Sequence, residues 1–137
     1  MRLNLKNITT TILIIYFLLG IYLSINTGIS HDEFHEQLNW EIHIQSIYEF
    51  LKSGSYDNLL NYKDRYHGIG FHLFSQPFQY FFSNLVSEYL VISNYGGILL
   101  SKHIAIFVVF FISGLFFYKI CRLLINNNLF CNLSLLF

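Results

Sequence analysis

From Ile8 to Ile25 the chain runs for eighteen residues without a charged side chain, and no other feature constrains its folding more. As an α-helix rising about 1.5 Å per residue, that run measures about 27 Å, close to the hydrocarbon thickness of a bilayer. A soluble fold would have to bury such a helix on all sides, and a chain of 137 residues offers only a small core. Lipid as solvent removes that demand. The charge content agrees: 12% of residues are charged, against about 25% in soluble domains. The expected fold class is an all-α membrane protein.

A cleaved signal peptide is the rival reading of the first run. Arg2 and Lys6 would be its basic start, and Gly28-Ile29-Ser30 has the small-x-small look of a cleavage site. The apolar stretch is long for a signal core, so an uncleaved anchor over 8–25 is expected.

A second span is expected over 102–120. Its centre, Ile104–Ile120, carries Phe107, Phe110, Phe111, Phe116 and Phe117 and is apolar all round, as a helix in lipid requires. Ile98-Leu99-Leu100 extends it outward. Ser113-Gly114 offers a small patch where a neighbouring helix could approach. After Asn126-Asn127-Asn128, residues 129–137 begin another apolar run that stops too soon to cross, a third span cut short. The chain therefore reads as the amino-terminal part of a polytopic membrane domain, with residues 26–101 as the loop between its two spans.

Orientation follows from the basic residues at the span ends. Arg2 and Lys6 precede the first span, Lys119 and Arg122 close the second, and only Lys102 adjoins a span on the other side. The positive-inside rule then places both termini in the cytoplasm and the loop outside; an integral protein, expected in a bacterial inner membrane, is the reading. All eight acids fall between Asp32 and Glu88. No clustered basic face suggests nucleic acid. Cys121 and Cys131 lie at or within apolar segments and read as small buried hydrophobes.

Within the loop, Ser30-His31-Asp32-Glu33 has the capping-box pattern, and a helix is expected from His31 to Lys52, ending at Ser53-Gly54. Phe34, Leu38, Ile42, Trp40, Ile44, Ile47 and Leu51 give it an apolar face. Asp32, Glu36, Asn39 and His43 form a polar stripe at i, i+4, i+7 and i+11. The pattern fits an amphipathic helix on the membrane surface, or else an ordinary helix of a small outer domain. Residues 54–65 read as a polar connector, and Tyr66–Val86 as a second juxtamembrane helix, interfacial or re-entrant. Asn94-Tyr95-Gly96-Gly97 reads as a turn.

The densest polar cluster is residues 31–36, just past the first span. A carboxylate there can accept a proton, bind a divalent cation or hold an acceptor group. The plainer reading is that the acids cap a helix, whose amino-terminal end favours them. His31 and His35, one turn apart, are a usable metal-ligand pair but lack the H-E-x-x-H pattern. His67-Gly68-Ile69-Gly70 has no phosphate-loop lysine, and its glycines are expected to serve a close backbone approach or a sharp turn. Lys102 either meets a lipid phosphate or snorkels to the interface.

The order of these features is a basic start, one span, the pair Asp32-Glu33, an amphipathic segment ending Leu51-Lys52-Ser53-Gly54, and a Tyr/His element around Tyr66-His67. It resembles the amino-terminal part of C-type (GT-C) membrane glycosyltransferases, such as protein O-mannosyltransferases and lipid A aminoarabinose transferases. The resemblance covers about residues 1–125. It implies transfer of a sugar from a polyprenyl-phosphate carrier on the non-cytoplasmic face, with Asp32 and Glu33 in the catalytic position. His35, His67 and Lys102 would contact substrate, and a divalent cation is a conceivable cofactor. Many members have His-Pro-Pro where this chain has His67-Gly68-Ile69, a departure that bears on His67. A non-catalytic membrane subunit, whose Phe-rich spans bind another membrane protein, is the alternative.

Overall fold

The computed structural model describes residues 5–125, with side chains from residue 9 onward. The segment 129–137, read above as the start of a third span, lies outside the described residues, as does Cys131. Five helices follow one another: α1 (Leu5–Asn26), α2 (His31–Ser53), α3 (Asp57–Asn61), α4 (Gly70–Leu90) and α5 (Asn94–Leu124). No strand occurs among the described residues. The all-α expectation therefore holds, and two helices are long and apolar enough to cross a membrane, over Thr9–Asn26 and Asn94–Leu124. No residue of the first of these stretches is buried. A core helix of a soluble protein would be buried on at least one face.

The chain divides into two compact units. One contains residues 1–27 and 103–137, the other residues 28–102. In the first unit α1 and α5 run antiparallel, and their contacts step in register. Ser24 accepts a hydrogen bond from His103 at 3.0 Å through its carbonyl, Gly20 faces Phe107, and Tyr16 and Phe17 meet Phe107 and Phe111. The closest ring pair is Phe17–Phe111, with centroids 4.9 Å apart. Gly20 is needed for this approach, because a Cβ there would lie 2.0 Å from the Phe107 ring. The Ser113-Gly114 patch faces open space. Lipid supplies no hydrophobic drive for helix pairing, so ring packing at small residues is the interaction expected to hold such a pair.

The second unit is built from α2, α3, α4 and the first turns of α5. Helix α2 begins one residue after Ser30, whose backbone N–H donates to Glu33 Oε1 at 2.9 Å, the acidic half of the expected capping box. It ends at Gly54, which sits at φ 74° and donates to the Phe50 carbonyl, a left-handed carboxyl cap that favours glycine. The expected connector holds the short helix α3, and turns at Arg65 and His67 delay the next helix to Gly70. Helix α4 then continues past Val86 to Leu90.

One expectation about glycines is corrected and another is narrowed. Asn94-Tyr95-Gly96-Gly97 is the first turn of α5, not a turn before it. The reason is packing: a Cβ on Gly97 would lie 2.4 Å from the Ser83 carbonyl oxygen and 2.9 Å from Ser87 Cβ, so the bare backbone of α5 rests directly on α4. The close approach expected at Gly68 and Gly70 is not there, because a Cβ at either position meets nothing.

This unit buries Val86, Leu99 and Leu100, but most of its buried side chains are polar. On α2 the buried residues are Gln37, Asn39 and Ser46, and on α4 they include His72, Ser75, Gln79 and Ser87. Gln79 is 2% exposed, while Tyr80 and Phe81 beside it are 81% and 71% exposed. Leu38, Ile44, Ile47 and Leu51 are likewise exposed on α2. Of the polar stripe of α2, Asn39 is buried and His43 half-buried, while Asp32 and Glu36 stay exposed.

Candidate functional site

Polar residues can line an interior only when they satisfy one another, since an unpaired buried group costs about 1–3 kcal/mol. Here the condition is met: every buried side-chain nitrogen and oxygen among the described residues has a partner. Gln79 donates to the Gln37 side-chain oxygen and to the Ile98 carbonyl, both at 3.2 Å, and accepts from Gln76 at 2.8 Å. Gln37 passes the chain on to Glu41. The Tyr62 hydroxyl donates to Asn39 Oδ1, and burial followed by the nearby Asp64 raises its pKa. One amide network therefore ties α2, α4 and α5 together.

The same three helices carry a charged cluster. Lys102, 3% exposed, forms an ion pair with Glu36 and approaches His72 Nε2 at 3.3 Å. The two carriers of the pair differ sharply: the Lys102 side chain is 4% exposed and that of Glu36 56%. The cation is held inside and the carboxylate bridges it to solvent. His72 is stacked on Trp40, with centroids 5.7 Å apart and planes at 11°. Its pKa is lowered, first by burial and then by the Lys102 charge, with Glu36 opposing. A neutral ring that accepts the ammonium proton at Nε2 carries its own proton at Nδ1.

The sequence alone gave Lys102 two readings, lipid phosphate or snorkelling. In the structure its side chain does not reach outward but is buried against Glu36 and His72. The stripe that leads to this site begins at Asp32, one helical turn before Glu36. Asp32 is exposed on the first turn of α2, and Glu33, half-buried, holds the Ser30 N–H. His35 is exposed and meets the His31 ring edge-on at 5.2 Å. His67 lies exposed in the turn before α4, its Nδ1 3.3 Å from the Asp64 carbonyl. No group of three or more His, Cys, Asp and Glu side chains that could hold a metal ion forms among the described residues. The His31–His35 pair thus gains no third ligand from its surroundings.

Glu36 and His72 had not been given binding roles. A signal for each was present. Glu36 is the second member of the polar stripe. His72, Ser75, Gln79 and Val86-Ser87 recur at helical spacing through an otherwise aromatic segment, the mark of an inward stripe. No protein-family model, curated protein or solved structure matches this chain.

Proposed function

We propose that this chain is the amino-terminal part of a membrane glycosyltransferase that takes sugar from a polyprenyl-phosphate carrier on the outer face of a bacterial inner membrane. The observation that carries the reading is the buried Lys102 among the polar side chains that α2 and α4 enclose. Many apolar side chains of α2 and α4 are exposed while Lys102 and His72 are buried, with Glu36 at the edge. Ionisable residues enclosed in a lipid-facing structure are expensive, and they mark binding or transfer sites. In this reading α2 and α4 lie at the interface, their outward faces against lipid, and the stripe from Asp32 to Glu36 opens between them toward the carrier headgroup.

The division of labour follows from exposure. Asp32 is reachable, so its carboxylate takes the proton from the acceptor hydroxyl or amine as that atom attacks the anomeric carbon. The bond from that carbon to the phosphate oxygen breaks, and the carrier phosphate leaves with the electron pair. Lys102 can offer its ammonium to that phosphate only by exchanging Glu36 for it, and Glu36, half in water, is the partner able to move away. Glu33 holds the helix start that fixes Asp32. His35 and His67 flank the loop as acceptor contacts. A divalent cation has no gathered donor set among the described residues and enters no step.

Replacing Asp32→Asn in the protein expressed from its complete reading frame tests the reading. Sugar transfer from a radiolabelled polyprenyl-phosphate donor should fall by a factor of at least about 100, the usual contribution of a general base, with membrane insertion unchanged. Turnover at the wild-type rate would remove Asp32 from the chemistry and favour a non-catalytic subunit.

A further inference from the structure

The unit formed by α1 and α5 carries a second feature that owes nothing to Asp32. A cavity of about 770 Å³ opens along the pair, lined by Leu13 of α1 and by Ile112, Leu115, Phe116, Lys119 and Arg122 of α5. Its lining changes character along the helix axis. Ile112, Leu115 and Phe116 are apolar, and the two cations follow within the next two turns, so the groove runs about 15 Å from Ile112 to Arg122. Both cations are exposed, Lys119 with its ammonium 5.7 Å from the Phe116 ring and Arg122 with its guanidinium 6.0 Å from the Tyr118 ring. Two positive charges exceed the roughly half negative charge of a helix carboxyl end, so this end of the groove is net positive.

A groove with a hydrocarbon-lined half and a doubly cationic end is complementary to an amphiphile with an anionic head. We infer that it binds an anionic phospholipid, one acyl chain lying along Leu13, Ile112, Leu115 and Phe116 and the phosphate on Arg122 and Lys119. Arg122 supplies the planar fork that matches phosphate oxygens, and Lys119 adds a point charge. By the charge asymmetry of the chain this is the cytoplasmic leaflet, where basic pockets between membrane helices hold anionic headgroups.

The test uses the full chain in nanodiscs of mixed phosphatidylglycerol and phosphatidylcholine, with retained lipid counted by native mass spectrometry. At about 1 kcal/mol per cation, phosphatidylglycerol should be retained about 30-fold over phosphatidylcholine. Lys119→Gln with Arg122→Gln should abolish that preference. Leu115→Trp, which keeps both cations and fills the groove, should abolish retention itself. Chainless glycerol phosphate should not displace the lipid. Preference that survives charge removal, or retention that survives Leu115→Trp, overturns the inference. Displacement by glycerol phosphate would do so too, by showing a site for free phosphate.

Discussion

Replacing Glu36→Gln should destabilise the protein far more than replacing its partner, Lys102→Met. Breaking a fully buried ion pair from one side costs about 3–5 kcal/mol, because a charge is left stranded. Breaking an exposed pair costs about 0–1 kcal/mol. This pair is asymmetric, with 4% of the Lys102 side chain exposed against 56% of Glu36. Removing Glu36 strands an enclosed ammonium that keeps His72 as its hydrogen-bond partner among the described residues, so the cost should be about 2–3 kcal/mol, below the fully buried limit. Removing Lys102 returns a carboxylate to water it already touches, and methionine fills the vacated volume, so about 1 kcal/mol or less is expected. Trp40 is the only tryptophan and is stacked on His72, so its fluorescence reads unfolding at the site itself. Equilibrium unfolding of the purified protein in detergent micelles should therefore separate the two variants by about 2 kcal/mol, roughly 30-fold in the folding equilibrium. The double variant should cost less than the sum of the singles. Equal costs for the two single variants, or strict additivity, would refute the buried-cation reasoning.

His72 gives a pH test. Its folded pKa lies below the ordinary value of 6.5, so on acidification the unfolded chain takes up a proton that the folded site, facing Lys102 and Glu36, resists. Stability should fall as pH drops below about 6.5, and His72→Gln, which keeps an acceptor for Lys102, should flatten that part of the profile; an unchanged slope in the same unfolding assay would remove His72 as its source. Gly97→Ala should cost about 1–3 kcal/mol, because the new methyl meets the α4 backbone, whereas Gly68→Ala should shift thermal unfolding little. Val91, 90% exposed at φ 55°, caps α4 in a left-handed conformation that β-branched residues resist; Val91→Gly should stabilise by about 0.5–1 kcal/mol, measured by the same unfolding curves.

How much of this was legible in the sequence depends on the range of the interaction. Local signals served well. The uncharged run from Ile8, the capping box at Ser30–Glu33 and the Gly54 stop placed α1 and α2 to within a few residues. The polar stripe through Glu36 and Asn39 was visible too, but not which of its members is buried, because period alone does not say what packs against it. Gly96-Gly97 was read as a turn because two glycines usually break a helix. Only the Ser83–Ser87 surface of α4, distant in sequence, explains why a helix starts there without side chains. Lys102 likewise lacked a partner in the sequence. Glu36 lies 66 positions away and His72 lies 30 away, and only folding brings them together.

The topology we propose puts residues 28–102 on the far side of a membrane crossed by the spans. A single cysteine at Asn61, in a protein whose Cys121 and Cys131 are changed to Ala, can be probed with a membrane-impermeant maleimide on intact cells. Labelling from outside without permeabilisation is the expected result. Labelling only after the membrane is opened would place the loop in the cytosol, and the topology, the outward site and the transfer reading would fall together.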